Sequence, residues 1–164
     1  IHCQTARKDQ IEKMAALKMI PSIFVGHVNY WGDVHMKNFG PVRGSRVSPA
    51  KDALDAGLVY NFHTDTPVVK PDMLHAVWTA VNRVTRSGRV IGEDQRISAY
   101  DALKGITINA AYAYFEEDSK GSIKEGKRAD LVVLDANPLK VDPMAIKDIK
   151  ILETIKDGVT VFTA

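Results

Sequence analysis

A second cysteine is the first thing this chain lacks. Cys3 stands alone among 164 residues, so no internal disulfide can form and a disulfide-stapled secreted scaffold is excluded. A reducing, cytoplasmic setting is expected. No apolar run approaches the roughly 20 residues of a membrane-spanning helix. Neither sign of charge dominates, because 22 Lys and Arg stand against 20 Asp and Glu for a net +2. No basic run is interleaved with aromatics, so neither nucleic acid nor a membrane is expected as a partner. His-x-His, His-Glu-x-x-His and Cys-x-x-Cys pairs are all missing, so spacing alone identifies no metal site.

What is present suits one globular domain with a real core. The chain is 45% hydrophobic and 26% charged, a balance typical of folded rather than disordered chains. Asp9 to Met19 carries Ile11, Met14, Ala15 and Met19 near one face, the pattern of an amphipathic helix. Pro21 to Gly26 reads as a buried strand. From His27 to Val47 the chain is aromatic, histidine-rich and punctuated by Gly and Pro, which predicts a long loop that is functional or contains its own short helix. Ser48-Pro49 opens a short helix, with Ser48 as its cap and Gly57 as its stop. A strand follows through Asn61 and Phe62. Pro71 to Arg86 has helical spacing, and Ser98 to Asp101 starts another helix. Strands alternating with helices predict a parallel sheet with helical crossovers.

The character changes at Gly121. Ala129–Asp135 and Ile151–Ile155 are β-like, and Lys156-Asp157-Gly158 signals a hairpin into Val159–Phe162. Residues 1–120 are therefore expected to form an α/β unit and residues 121–164 part of a small β unit.

The chemistry gathers at the predicted strand ends. His2 ends the first strand-like segment, His27 follows the second, and His63 and Asp65 follow the third. The carboxyl ends of parallel strands share one edge, so these groups could converge. Imidazole and carboxylate are good ligands for Zn²⁺ and similar ions. Asp65, placed before Pro67, reads either as a metal-binding, proton-transferring carboxylate or as a turn cap. His35 and the Tyr30-Trp31-Gly32-Asp33 segment could line a substrate pocket or pack the loop. Arg43 could clamp an anionic group, whereas Arg46 is expected to pair with Asp52 or Asp55.

Several segments together resemble the amidohydrolase superfamily, in its family 3 branch of formamide deformylase-like and exoenzyme-regulator-like proteins. Gly121-Ser122-Ile123-Lys124-Glu125-Gly126-Lys127-Arg128-Ala129-Asp130, running into Leu131–Asp135 and Asn137-Pro138, is similar to that superfamily's re-entry into its small β domain. Gly26–His35 is similar to the branch's loop after barrel strand seven, and His63–Val68 to the end of strand eight. Ile1–Gln4 is similar to the end of strand six.

The resemblance implies a (β/α)₈ TIM barrel, present here from the tip of strand six to strand eight, with part of a composite β-sandwich domain. It implies hydrolysis of C–N bonds in small, non-peptide amide-type substrates at a divalent metal, zinc being expected. His2 and Asp65 would be metal ligands, and Asp65 the catalytic proton shuttle. His27, Trp31, Asp33, His35, Arg43 and His63 would face substrate. The family's early His-x-His pair and its strand-four and strand-five ligands have no counterpart in this sequence. His2 and Asp65 alone are too few for a four-coordinate site. The chain is thus expected to be an inactive fragment of a longer enzyme, with exposed strand edges inviting self-association. The competing expectation is a non-catalytic binding or regulatory module that keeps the fold without the chemistry.

Overall fold

A computed structural model describes residues 1–164. The elements follow as α1 (Lys8–Ala16), β1 (Ser22–Ile23), α2 (His27–Gly44), α3 (Ala50–Asp55), β2 (Asn61–Phe62), α4 (Met73–Asn82), α5 (Ala99–Ile106), α6 (Ile108–Ala113), β3 (Leu131–Leu134), β4 (Ile151–Lys156) and β5 (Val159–Thr163). Single 3₁₀ turns at Glu93–Gln95 and Pro143–Asp148 link them. No helix is long and apolar enough to cross a membrane.

β1 and β2 pair in parallel, with Ser22 opposite Asn61 and Ile23 opposite Phe62. A parallel bridge from His2 to Ile23 adds the first segment on the other side of β1. Three extended segments thus run the same way, as the alternation of elements predicts. The second and third send their large side chains into the core. Ile23, Val25, Tyr60 and Phe62 pack with Ile11 of α1, Ala53 of α3, Val77 and Ala80 of α4, and Ala102 of α5. Each such large side chain contributes about 1.5–3 kcal/mol by leaving water. The Tyr60 hydroxyl donates to the Asp101 carbonyl, and burial pushes its phenol well above the usual range.

Three local expectations change. The stretch after His27 is an 18-residue helix rather than a loop with at most a short one. Gly40, at φ 74°, interrupts α2, and Pro41 starts its last turn. The helix forms because one flank meets the 84–91 hairpin closely: a Cβ on Gly32 would lie 2.6 Å from Thr85 Cγ2 and 2.9 Å from Ile91 Cδ1. Asn29 secures the same flank by donating to the Val84 carbonyl at 2.9 Å. Ser48 does not cap α3. Its backbone is left-handed at φ 53°, and its hydroxyl instead donates to the Phe24 carbonyl at 3.0 Å. α4 stops at Asn82, because Arg83 adopts the left-handed conformation that ends helices. Ser98 does cap α5, accepting from the Asp101 amide at 3.1 Å.

Arg83 is fully buried. Its guanidinium donates to the carbonyls of Ile91, Ser48, Ser45 and Val47 at 2.8–3.2 Å. Burial lowers its pKa to about 10. This one side chain ties the 45–48 turn to the 84–91 hairpin. Gly92, at φ 59°, is needed there, since a Cβ would fall 1.9 Å from the Ser45 carbonyl oxygen.

The last region is a three-stranded antiparallel sheet in the order β3-β4-β5. Its hairpin turns at Asp157 and Gly158, both with positive φ, as the Lys-Asp-Gly signal predicts. The 3₁₀ turn at Pro143–Asp148 attaches this region to α4: the Asn82 side-chain amide donates to the Pro143 carbonyl at 2.9 Å, and Ile146 joins the core.

Candidate metal centre

The three parallel segments deliver their following residues to one edge. His2 stands at the end of the first, Phe24 to His27 follow β1, and His63 and Asp65 follow β2. The backbone fixes this placement, with the Phe24 amide donating to the His2 carbonyl at 3.2 Å and the His63 amide to the Ile23 carbonyl at 3.3 Å. His2 and Asp65 both hold left-handed φ values, 62° and 54°, a conformation costing about 1–2 kcal/mol in L-residues. Such strain gathers at functional sites because the surrounding structure must sustain it.

One ligand atom each from His2, His63 and Asp65 lies within 4.8 Å of the others. His2 Nε2 is 3.2 Å from Asp65 Oδ2. His63 Nδ1 is bonded to Ser22 Oγ at 2.9 Å, which orients the ring and leaves Nε2 as its free donor. That Nε2 is buried without a partner in the chain, and a buried polar atom of this kind points to something it would bind. One nitrogen held by a hydroxyl and the other free is how metal-binding histidines are usually supported. Two imidazoles and a carboxylate suit zinc and related divalent ions. The residues present fit such an ion.

α2 supplies the neighbouring wall. His27, Trp31 and His35 recur every four residues and share one face. The His27 ring lies 5.9 Å from that of His2, 5.5 Å from Trp31 and 5.9 Å from His35. Burial, then the nearby imidazoles of His35, His2 and His63, lowers the His27 pKa to about 4. Burial also lowers those of His35 and His63. These rings are therefore neutral near pH 7, the form that coordinates cations.

His2, His63, Asp65, His27, Trp31 and His35 are brought together. Asp33 is not, because it sits on the opposite flank of α2. Its carboxylate accepts from Thr85 Oγ1 at 2.9 Å and from Ser87 Oγ at 2.7 Å, and these bonds hold its pKa below the usual carboxylate range. Arg43 is also apart, exposed and donating to the Phe39 carbonyl of its own helix. Arg46 pairs with Asp52 and Asp94, the structural role expected of it. Sequence reasoning put His63 with the substrate-facing residues, whereas its geometry groups it with the donors. Gln4 was missed: its side-chain nitrogen meets His35 Nε2 at 2.7 Å. Nothing in the sequence marks that contact, which joins segments 31 residues apart.

The profile of the Amidohydrolase family matches residues 1–162. An N-substituted formamide deformylase of Arthrobacter pascens is 32% identical over 163 residues, covering 96% of this chain and 29% of that protein. A putative amidohydrolase of Bacillus subtilis is 28% identical, covering 99% of the chain and 31% of its own length. Among solved structures, an uncharacterized metal-dependent hydrolase of Pyrococcus horikoshii superposes with a TM-score of 0.72 at 27% identity, over 87% of this chain and 29% of that one. The chain thus spans under a third of the length of the relatives it matches.

Proposed function

We propose, because this chain belongs to the amidohydrolase family, that it carries part of a metal-dependent hydrolase centre acting on C–N bonds of small, non-peptide amides. The observation that carries the reading is the convergence of His2, His63 and Asp65 at one strand-end edge. In a barrel enzyme, that edge is where catalytic groups sit. The short parallel strands are read as strand ends of such a barrel.

His2, His63 and Asp65 would hold the ion, with zinc the metal this donor set suits. A divalent cation there supplies Lewis-acid polarisation of the acyl oxygen and acidifies water. Asp65 takes a proton from the attacking water and returns it to the leaving nitrogen. Water adds to the acyl carbon, the C–N bond breaks, and the products are a carboxylic acid and an amine. His2 Nε2 and Asp65 Oδ2, 3.2 Å apart, are close enough to meet one ion from two sides. Neutral His27, whose Nδ1 is buried without a partner, would donate an N–H to the developing oxyanion.

The test is amine release from N-substituted formamides by the full gene product, with zinc and after chelation. Metal-dependent release that Asp65→Asn reduces at least 100-fold is expected, by the usual size of a general-base effect. The 164-residue chain alone should release none, for want of the further ligands that the family resemblance implies. Release that persists in Asp65→Asn would remove this role.

A further inference from the structure

We propose that Ser22 is a positioning residue of this centre. Its hydroxyl accepts the Nδ1–H of His63 and so presets the tautomer that leaves the Nε2 lone pair for a cation. The inference rests on the hydrolase reading above and adds a residue outside the ligand set. Strand register explains why Ser22 can act on His63. Ser22 lies opposite Asn61 in the parallel pair. The His63 amide donates to the Ile23 carbonyl at 3.3 Å, which carries the ladder one residue beyond β2. Residues two apart in extended chain share a face, so His63 projects on the same side as Asn61 and its neighbour Ser22. The Ser22 hydroxyl thereby meets His63 Nδ1 at 2.9 Å, across 41 residues of sequence.

The direction of that bond follows from the other ring nitrogen. A neutral imidazole carries one N–H and one lone pair. His63 Nε2 is buried and has no partner. A proton there would be a buried donor without an acceptor, while an acceptor stands ready beside Nδ1. Of the two orphans, an unpaired buried N–H is the rarer in folded proteins. The Asp65 Oδ2 atom is already engaged by His2 Nε2 at 3.2 Å. With the proton on Nδ1, Ser22 satisfies the donor and only a lone pair stays open, the form that coordinates a cation. A hydroxyl can accept this bond and still send its own proton elsewhere. Ser22 thus selects the ligand form of His63 before any ion arrives.

The experiment is nitrogen NMR of the metal-free full gene product, labelled at histidine, with His63→Gln identifying the His63 signals. It reads directly which ring nitrogen holds the proton. The expected result is Nδ1–H in the unmodified protein, a mixture of tautomers in Ser22→Ala, and a return to Nδ1–H in Ser22→Thr. Competition with a chelator then reads zinc affinity. Ser22→Ala should lower it about tenfold or more, the usual size of losing an outer hydrogen bond to a ligating histidine, and Ser22→Thr should restore it. Nε2–H in the unmodified protein, no zinc binding, or either property unchanged in Ser22→Ala overturns the inference. Amine release separates this result from the hydrolase reading. A Ser22-dependent tautomer and zinc affinity, with no amine released from any amide, keeps Ser22 in its role and removes that reading. Amine release by a protein whose His63 carries Nε2–H does the reverse.

Discussion

The shortest strands of this molecule carry its candidate chemistry, and the longest carry none. β1 and β2 have two residues each, yet they place His63, Asp65 and the α2 ring ladder around one edge. β3 to β5 run four to six residues, pair antiparallel with one register shift in each pairing, and expose every residue of β5. Beyond Ala111, only Ile146 and Ile149 are buried. A site of strained, desolvated imidazoles needs a packed core behind it, and only the first region has one. The sheet is held by its backbone ladder and by exposed pairs such as Lys156 with Asp130.

That contrast is open to direct attack. The largest effect is expected at Arg83. Arg83→Met leaves four carbonyls, three of them buried, without their donor, and urea unfolding should show a loss of about 4 kcal/mol, since each orphaned group costs roughly 1–3. Lys156→Met in the sheet should cost under about 1 kcal/mol, as exposed pairs do. Comparable losses for the two would dissolve the distinction.

A matched pair of glycines sharpens it. Gly92→Ala meets the Ser45 carbonyl as well as an unfavourable φ of 59°, while Gly126, at φ 83°, has nothing within 4 Å. Gly92→Ala should lose roughly 3 kcal/mol and Gly126→Ala roughly 1, the left-handed penalty alone. Thermal unfolding of the two variants reads the difference.

A small effect is expected with pH. All five histidines precede residue 76, so only the first region can respond through them. The folded pKa of His27 is about 4 against an ordinary 6.5, so the unfolded chain takes up the proton first as pH falls. Stability from this group is complete above pH 6.5 and is lost between 6.5 and 4. Half-exposure screens the effect, which should be on the order of 1 kcal/mol. Metal-free His27→Gln should show a flatter stability profile across that window.

Much of this arrangement is legible in the sequence, for physical reasons. Apolar runs ending in His or Asp predict strand ends, and alternation with helices predicts their parallel order. The sheet follows from β-branched runs and the Lys-Asp-Gly turn. Gly32, Gly40 and Pro41 look like helix breakers, so the sequence pattern of α2 favours a loop with at most a short helix. Gly32 is instead a contact glycine, and the breakers kink only the last turn. The four-residue recurrence of His27, Trp31 and His35 was the signal that outweighs them. It would also have separated Asp33 from the site, since that residue falls on the opposite side of a helix. His63 could have been grouped with Asp65, because residues two apart in extended chain share a face. Ser48 and Arg83 were opaque: their partners are carbonyls distant in sequence, and such contacts leave no local pattern.

The central claim is that His2, His63 and Asp65 form one cation site. Calorimetric titration of the chain with Zn²⁺, beside His63→Ala and Asp65→Asn, tests it most directly. The account predicts one ion per chain, with affinity lowered at least tenfold by either substitution, in keeping with the loss of one ligand of three. Binding that both variants leave unchanged would contradict it.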